Sequence, residues 1–290
     1  MPATHVRTFR IRHYECDAYG HVKHANYVRY MQEAAFDASA SVGYDFTRYQ
    51  AMNRLWLVRE TEIEYLRPLR YGDSVEIKTW VLDFRRIRSR RAYEFRFADS
   101  GELVARASTD WVFLEQATGR PATIPQDMMA AFFPEGPPPP APARERFPAM
   151  TPPPGAFRHH HRVEWRDLDP AGHVNNATYL SYVEDCGLQA IGTRGWPLAR
   201  MEAEGFALVA RRHRVEYQQP AILDDKLELI TWLSHASDAT AVRHTLVTRP
   251  HDNALVARAL TNHVCVSLKT GRRMALPSTL LAGLEPMIED

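Results

Sequence analysis

The chain has 290 residues, 45% of them hydrophobic and 24% charged, with a net charge of +1 at pH 7. That length suits about two folded domains, and the near-neutral charge excludes any general electrostatic drive toward nucleic acid or anionic membranes. No apolar run approaches the ~20 residues of a membrane span. Met1-Pro2-Ala3-Thr4-His5 lacks the apolar core of a secretion signal. The three cysteines, Cys16, Cys186 and Cys265, form no Cys-x-x-Cys pair. Neither a disulfide framework nor a zinc site is therefore expected, and a reducing cytoplasm is.

In chain order, a strand is expected over about Val6–Tyr14, followed by a turn rich in Asp and Gly. Tyr27, Tyr30, Met31, Ala34, Ala35 and Ala38 then recur at three- and four-residue steps, the period of an amphipathic helix that ends near Gly43. Strand-like alternation follows over Glu62–Leu66, Ser74–Val81, Arg90–Phe97 and Leu103–Glu115, broken by Pro68, Tyr71-Gly72-Asp73 and Asp99-Ser100-Gly101. Pro137 to Pro140, Pro142, Pro148 and Pro152 to Pro154 mark a stretch that supports neither helix nor internal strand and reads as an extended tether. The same series then begins again: a strand over Phe157–Trp165, an Asp/Gly turn, and a helix carrying Tyr179, Leu180, Val183, Cys186, Leu188 and Ile191 that ends near Gly195.

The recurrence is literal. Asp17-Ala18-Tyr19-Gly20-His21-Val22-Lys23-His24-Ala25-Asn26-Tyr27 returns as Asp169-Pro170-Ala171-Gly172-His173-Val174-Asn175-Asn176-Ala177-Thr178-Tyr179, at an offset of 152 residues from His21 to His173. Glu64-Tyr65, Thr79-Trp80, Val104-Ala105-Arg106-Ala107 and Gly119-Arg120 all return at that offset. The expected organisation is an N-terminal domain over 1–135, a Pro-rich linker over 136–155 and a C-terminal domain over 156–290. Each copy is of α+β class, one long helix plus a mostly antiparallel sheet, and pairing the copies edge to edge as a pseudo-dimer would cover the exposed sheet edges. Tyr30, Met31, Phe36, Leu180, Val183 and Leu188 on the helices, with Trp56, Trp80, Trp111 and Trp232 on the strands, are expected in the core.

Asp-x-x-Gly-His-Val-x-x-x-x-Tyr opening a helix, followed by Glu-Tyr-x-x-Pro and a Gly/Asp turn before an alternating strand, resembles the hotdog-fold thioesterases. It is closest in look to the 4-hydroxybenzoyl-CoA thioesterase family and to the acyl-acyl carrier protein thioesterases, which are tandem hotdogs. The resemblance implies two tandem hotdog domains, each a central helix wrapped by an antiparallel sheet. It implies hydrolysis of an acyl-CoA or acyl-carrier-protein thioester without metal or redox cofactor. It also implies a carboxylate before the helix, Asp17 or Asp169, as general base or nucleophile, with His173 and His24 as further candidates for the chemistry.

The chemistry suits that placement. A thiolate leaves readily, so the enzyme must supply a positioned nucleophile and donors for the carbonyl oxygen. The unpaired N–H groups and partial positive charge of a helix start offer such donors, each typically worth about 3–4 kcal/mol. Gly20, His21, Gly172, Asn175 and Asn176 are the expected substrate contacts. Each residue also has a plainer reading: Asp at a helix start is commonly a cap, and Asn175 suits turn duty as well. Copy two keeps Gly-His-Val-Asn-Asn but carries Ala171 where the carrier-protein pattern has Asn, whereas copy one carries Lys23-His24.

The basic run Arg85–Arg91, with Arg86 and Arg88, is either a solvated strand end or a dock for the phosphates of coenzyme A or of the carrier-protein arm. His159-His160-His161 sits on a strand, where alternate side chains point to opposite faces, so a metal site is not expected there. The rival readings are a non-catalytic acyl-binding hotdog protein and a hotdog acyl-CoA hydratase or dehydratase. A homo-oligomer of double hotdogs is compatible with the sequence.

Overall fold

A computed structural model describes residues 1–137 and 140–288, the Pro286 side chain excepted; Pro138 and Pro139 of the expected linker and the last two residues lie outside it. The chain divides into two compact units, Met1–Arg146 and Phe147–Asp290. In the first, β1 (Thr4–Arg10) leads through the Asp17 turn into α1 (His24–Ser41) and a short α2 (Phe46–Ala51). The strands β2 (Arg54–Tyr65), β3 (Ser74–Arg85), β4 (Arg88–Phe97) and β5 (Leu103–Glu115) follow, and α3 (Gln126–Phe132) ends the series. The sheet is antiparallel in the order β1-β3-β4-β5-β2.

The second unit repeats the plan. It comprises β6 (Phe157–Arg162), α4 (Thr178–Thr193), α5 (Leu198–Ala203), β7 (Phe206–Tyr217), β8 (Lys226–Ser237), β9 (Thr240–Arg249), β10 (Ala254–Ser267) and α6 (Ser278–Leu284). Its sheet order, β6-β8-β9-β10-β7, matches that of the first unit strand for strand. Even the irregularities recur: the register slips between Val81 and Asp83 on β3 and between Leu233 and His235 on β8.

Each long helix lies on its own sheet through the residues that the 3.6-residue period selects. Tyr27, Tyr30, Met31, Ala34 and Ala35 of α1 pack with Ile63, Ile77, Tyr93 and Phe95 of the strands; Tyr179, Tyr182 and Cys186 of α4 pack with Leu227, Leu229 and Val247. Ala34 and Ala35 are buried in the same cluster as the strand residues. Gly43 and Gly195 stop the helices in the left-handed conformation, at φ +83° and +82°.

Several expectations change. The helices begin before the first tyrosine of the motif, at His24 and Thr178, and β2 starts eight residues earlier than its alternation suggested, because residues 54–59 are half-buried on both faces and show no alternation. The short helices α2, α3, α5 and α6 went unread because none has two full turns of apolar period. Phe36 and Leu188, expected in the core, are exposed at 53% and 48%. Each lies two residues from buried neighbours, about 200° around the helix, and so faces away from the sheet.

The Pro-rich stretch is more than a tether. Its described residues form no helix or strand, but Arg85 and Arg90 donate to the carbonyls of Ala141 and Pro142 at 3.0 and 2.8 Å. Arg144 lies on the first sheet with its side chain only 10% exposed, donating to Glu62 at 2.8 Å, Asp110 at 3.0 Å and Ser108 at 2.8 Å. Past the division, Phe147 is buried between the guanidinium groups of Arg214 and Arg258, at 4.7 and 4.5 Å from its ring centre.

Burial alone would raise the Asp110 carboxyl, but hydrogen bonds from Arg90 and Arg144 outweigh it and hold the carboxyl below its usual value. Arg144→Ala strands partly buried carboxylates and is expected to destabilise the first unit by about 2–3 kcal/mol, read by urea unfolding. Because the folded Asp110 pKa is depressed, its contribution is complete above about pH 4 and fades as pH falls below it. The wild-type and Arg144→Ala unfolding midpoints should therefore converge in acid.

Candidate active site

In each unit the residues between the first strand and the long helix form a tight hairpin. Cys16 bridges Val22 in the first unit and Leu168 bridges Val174 in the second. The Asp17 N–H donates to the His21 carbonyl at 2.8 Å and the Gly20 N–H to the Asp17 carbonyl at 3.0 Å. Closing so short a loop forces Gly20 to φ +74° and Gly172 to +80°, a region where a Cβ is strained. The chain then enters the helix, held by Val22 N–H to Leu69 and Lys23 N–H to Glu15, and in the second unit by Val174 to Ala221 and Asn175 to Asp167.

The Asp side chains hold these turns. Oδ1 of half-buried Asp17 accepts from the N–H groups of Tyr19 at 2.9 Å and His21 at 3.0 Å. Its Oδ2 accepts no hydrogen bond among the described residues, and neither does the Ala25 N–H in the first turn of α1 have an acceptor there. Oδ1 of Asp169 accepts from Ala171 N–H at 2.9 Å.

Asn175 makes the difference between the copies. Its side-chain amide donates to Asp169 Oδ2 at 3.1 Å, and its carbonyl oxygen accepts from the Ala177 N–H at 3.0 Å. The two groups that copy one leaves open are thus bridged by one side chain in copy two, because Asn175 stands where copy one has Lys23.

His21 is half-buried beside the turn. Burial, and then the nearby Arg70 guanidinium, lower its pKa against the weaker opposing pull of Asp17. His173 occupies the matching place, its carbonyl accepting the Asp169 N–H at 3.1 Å. His24 opens α1 with its ring edge-on to Tyr65, centres 4.5 Å apart. Its counterpart Asn176 offers a backbone carbonyl to the Tyr217 hydroxyl at 3.0 Å.

Tyr65 and Tyr217 therefore brace both helix starts, a role the sequence reading missed although the Glu-Tyr pair was visible in the repeat. Buried Glu15 and Asp167 were missed too. They cap the turn just upstream, accepting the Arg12 and Glu164 N–H groups at 2.8 Å. Behind them Tyr30 and Tyr182 are buried, and burial with the adjoining carboxylate pushes each phenol's pKa up.

Arg86 and Arg88 do not join this group. They sit at the β3–β4 hairpin, exposed, whereas the Asp17 turn follows the end of β1 that pairs with Ser74 at the start of β3. The length of β3 separates the two places by roughly 35 Å at the usual strand rise.

Residues 2–132 match the model of the acyl-ACP thioesterase N-terminal domain, and residues 163–284 that of the thioesterase-like superfamily. The long-chain acyl-CoA thioesterase FadM of Escherichia coli is 31% identical over 131 residues, which is 44% of this chain and 96% of that protein. The chloroplastic palmitoyl-acyl carrier protein thioesterase of Arabidopsis thaliana is 25% identical over 269 residues, 88% of this chain. The chain spans 62% of that relative's length, and 45% of its Cuphea hookeriana counterpart's. Among solved structures, the 12:0-ACP thioesterase of Umbellularia californica shares the fold at a TM-score of 0.74 and 23% identity, over 90% of this chain and 94% of that one. A putative oleoyl thioesterase of Lactobacillus plantarum does so at 0.76 and 19%, over 91% and 95%. With a thioesterase domain matched in each half and a relative covered almost end to end, the chain belongs to the hotdog-fold thioesterase family, as two such domains in tandem.

Proposed function

We propose that the protein hydrolyses an acyl thioester, carried on coenzyme A or on an acyl carrier protein, and that Asp17 does the chemistry. The observation that carries this reading is the division of labour within one carboxylate. Asp17 Oδ1 is committed to the Gly20-His21 turn, which fixes the group, while Oδ2 and the Ala25 N–H of the following helix start accept and donate nothing within the described protein. A base and an oxyanion donor on the same short segment are what the reaction needs.

In the general-base form, Oδ2 takes a proton from water and the resulting hydroxide attacks the acyl carbon. The carbonyl oxygen gathers negative charge at the helix start. The C–S bond then breaks, and the thiolate leaves and takes up the proton. In the nucleophilic form Oδ2 attacks the carbon itself, and water later cleaves the mixed anhydride. Either route uses Gly20 for close approach of backbone to substrate. A lowered pKa keeps His21 neutral at pH 7, able to donate one hydrogen bond to substrate or water without adding a charge. The names of the relatives support both carriers, CoA in FadM and carrier protein in the plant enzymes.

Copy two favours a second reading for its own site, that of an acyl-binding half without turnover. Asn175 already occupies both the Asp169 carboxylate and the Ala177 N–H, so chemistry there requires Asn175 to turn away first. Copy two keeps more of the Gly-His-Val-Asn-Asn segment, which by itself favours Asp169, but the open carboxylate oxygen and N–H of copy one weigh toward Asp17.

Asp17→Asn should lower kcat by about 100-fold or more, the usual range for loss of a positioned base. Asp169→Asn should leave most of the turnover, measured as free-thiol release from acyl-CoA and acyl-carrier-protein panels. A double mutant as fast as wild type would eliminate the carboxylate mechanism. Arg70→Ala removes a like charge from His21, so the His21 titration followed by NMR should move upward toward the ordinary imidazole value.

A further inference from the structure

Two buried arginines have no carboxylate partner among the described residues. Arg91 on β4 and Arg243 on β9 are 6% and 3% exposed, and they occupy matching positions of the repeat. By the two-residue strand period Arg91 shares a face with Tyr93 and Phe95, which pack against α1. Arg243 lies under α4, where a Cβ on Gly187 would come within 3.4 Å of its Nε. Glycine within a helix is unfavourable relative to alanine, and here it leaves room for the guanidinium.

Each guanidinium has five N–H donors, and among the described residues each makes one long hydrogen bond. Arg91 Nη1 donates to Thr79 Oγ1 at 3.4 Å and Arg243 Nη1 to Thr231 Oγ1 at 3.3 Å. These hydroxyls are themselves fixed, donating to the carbonyls of Ala92 and His244 at 2.9 and 2.8 Å.

No carboxylate pairs with either arginine among the described residues. The acidic groups near Arg91 are the Tyr93 and Tyr49 phenols, which burial pushes up and keeps neutral. Near Arg243 it is the Cys186 thiol, pushed by burial up to about 12 and so also neutral. Burial lowers Arg243 to about 10, which leaves it charged at pH 7. In the first unit the Phe132 ring lies 5.5 Å from Arg91, a cation–π contact that offsets only part of the cost of desolvating a cation.

We propose that each buried guanidinium is a binding site for a carboxylate on the acyl ligand, reached between the long helix and the sheet. This rests on the acyl-thioester reading above for the ligand class, and adds an anionic group to it. The carboxylate has two sources: the far end of an ω-carboxyacyl chain, or the acid freed by hydrolysis. Arg91 and Arg243 then act as specificity residues, and the threonine hydroxyls hold each guanidinium plane for paired N–H to oxygen bonds.

The test is thermal unfolding of the full chain with octanedioate, octanoate and methyl octanoate, and with the dodecyl counterparts of each, no thioester being present. Wild type should be stabilised by acids and not by methyl esters. Stabilisation by diacids alone identifies the far-end carboxylate, and equal stabilisation by monoacids identifies the product acid. Arg91→Met and Arg243→Met should melt no lower than wild type without ligand, since an unpaired buried charge is removed, and the double variant should lose the response to acids.

If a methionine variant does not fold, Arg91→Lys and Arg243→Lys keep the charge without the planar fork and should weaken acid binding roughly tenfold or more. Esters that stabilise as well as acids, no response to any probe, or variants that keep the response would overturn the proposal. Asp17→Asn should bind the acids as wild type does, so loss of the hydrolytic reading and loss of this one are separately visible.

Discussion

The Asp carboxylate that closes the hairpin before each long helix is the interaction on which the rest of the structure turns. It satisfies backbone N–H groups that a loop of this size cannot pair with itself, and it does so with Oδ1, at 2.9 Å in both copies. That bond holds a glycine in the left-handed region and sets where the helix begins. The helix start in turn fixes the direction of its unpaired N–H groups, and its buried face carries the tyrosines, alanines and methionine that form the core. A side chain that closes the turn is thereby held in place by backbone hydrogen bonds, and on the proposed reading that same fixed position serves the reaction.

Duplication lets that economy diverge. One substitution between the copies, Lys23 against Asn175, decides whether the second carboxylate oxygen and the helix-start donor are open or tied together. Similar divergence runs along the sheets, where Glu60 and Glu62 of the first unit are replaced by Arg212 and Arg214 in the second. The acidic pair receives Arg144 from the Pro-rich stretch, whereas Arg214 flanks the buried ring of Phe147. The segment between the copies is therefore anchored by opposite chemistry at its two ends. The buried Arg91 and Arg243 have not diverged: in both copies the guanidinium donates to a threonine hydroxyl of the neighbouring strand and has no carboxylate partner among the described residues.

The sequence by itself determined much of the fold. The 152-residue repeat carries the division into two copies, and the helix and strand periods carry the element order, because both depend on spacing along the chain. It also singled out the Asp-Gly-His turns, since a glycine that must take positive φ and an acid that must cap a turn leave a local signature. Short helices left none, and Phe36 and Leu188 look apolar whichever way the helix is rotated.

Tertiary structure alone decided which face of each helix meets the sheet, and so which large apolar residues are buried. It decided that Arg86 and Arg88 lie at the far end of β3 from the Asp17 turn, a distance set by strand pairing rather than sequence separation. It decided that Asn175 bridges Asp169 and Ala177 and that Tyr65 and Tyr217 brace helix starts about 40 residues before them. The physical reason is the same throughout. Spacing fixes what a segment prefers to become, but hydrogen-bond partners and burial depend on which segments the folded chain brings within about 3 Å of one another.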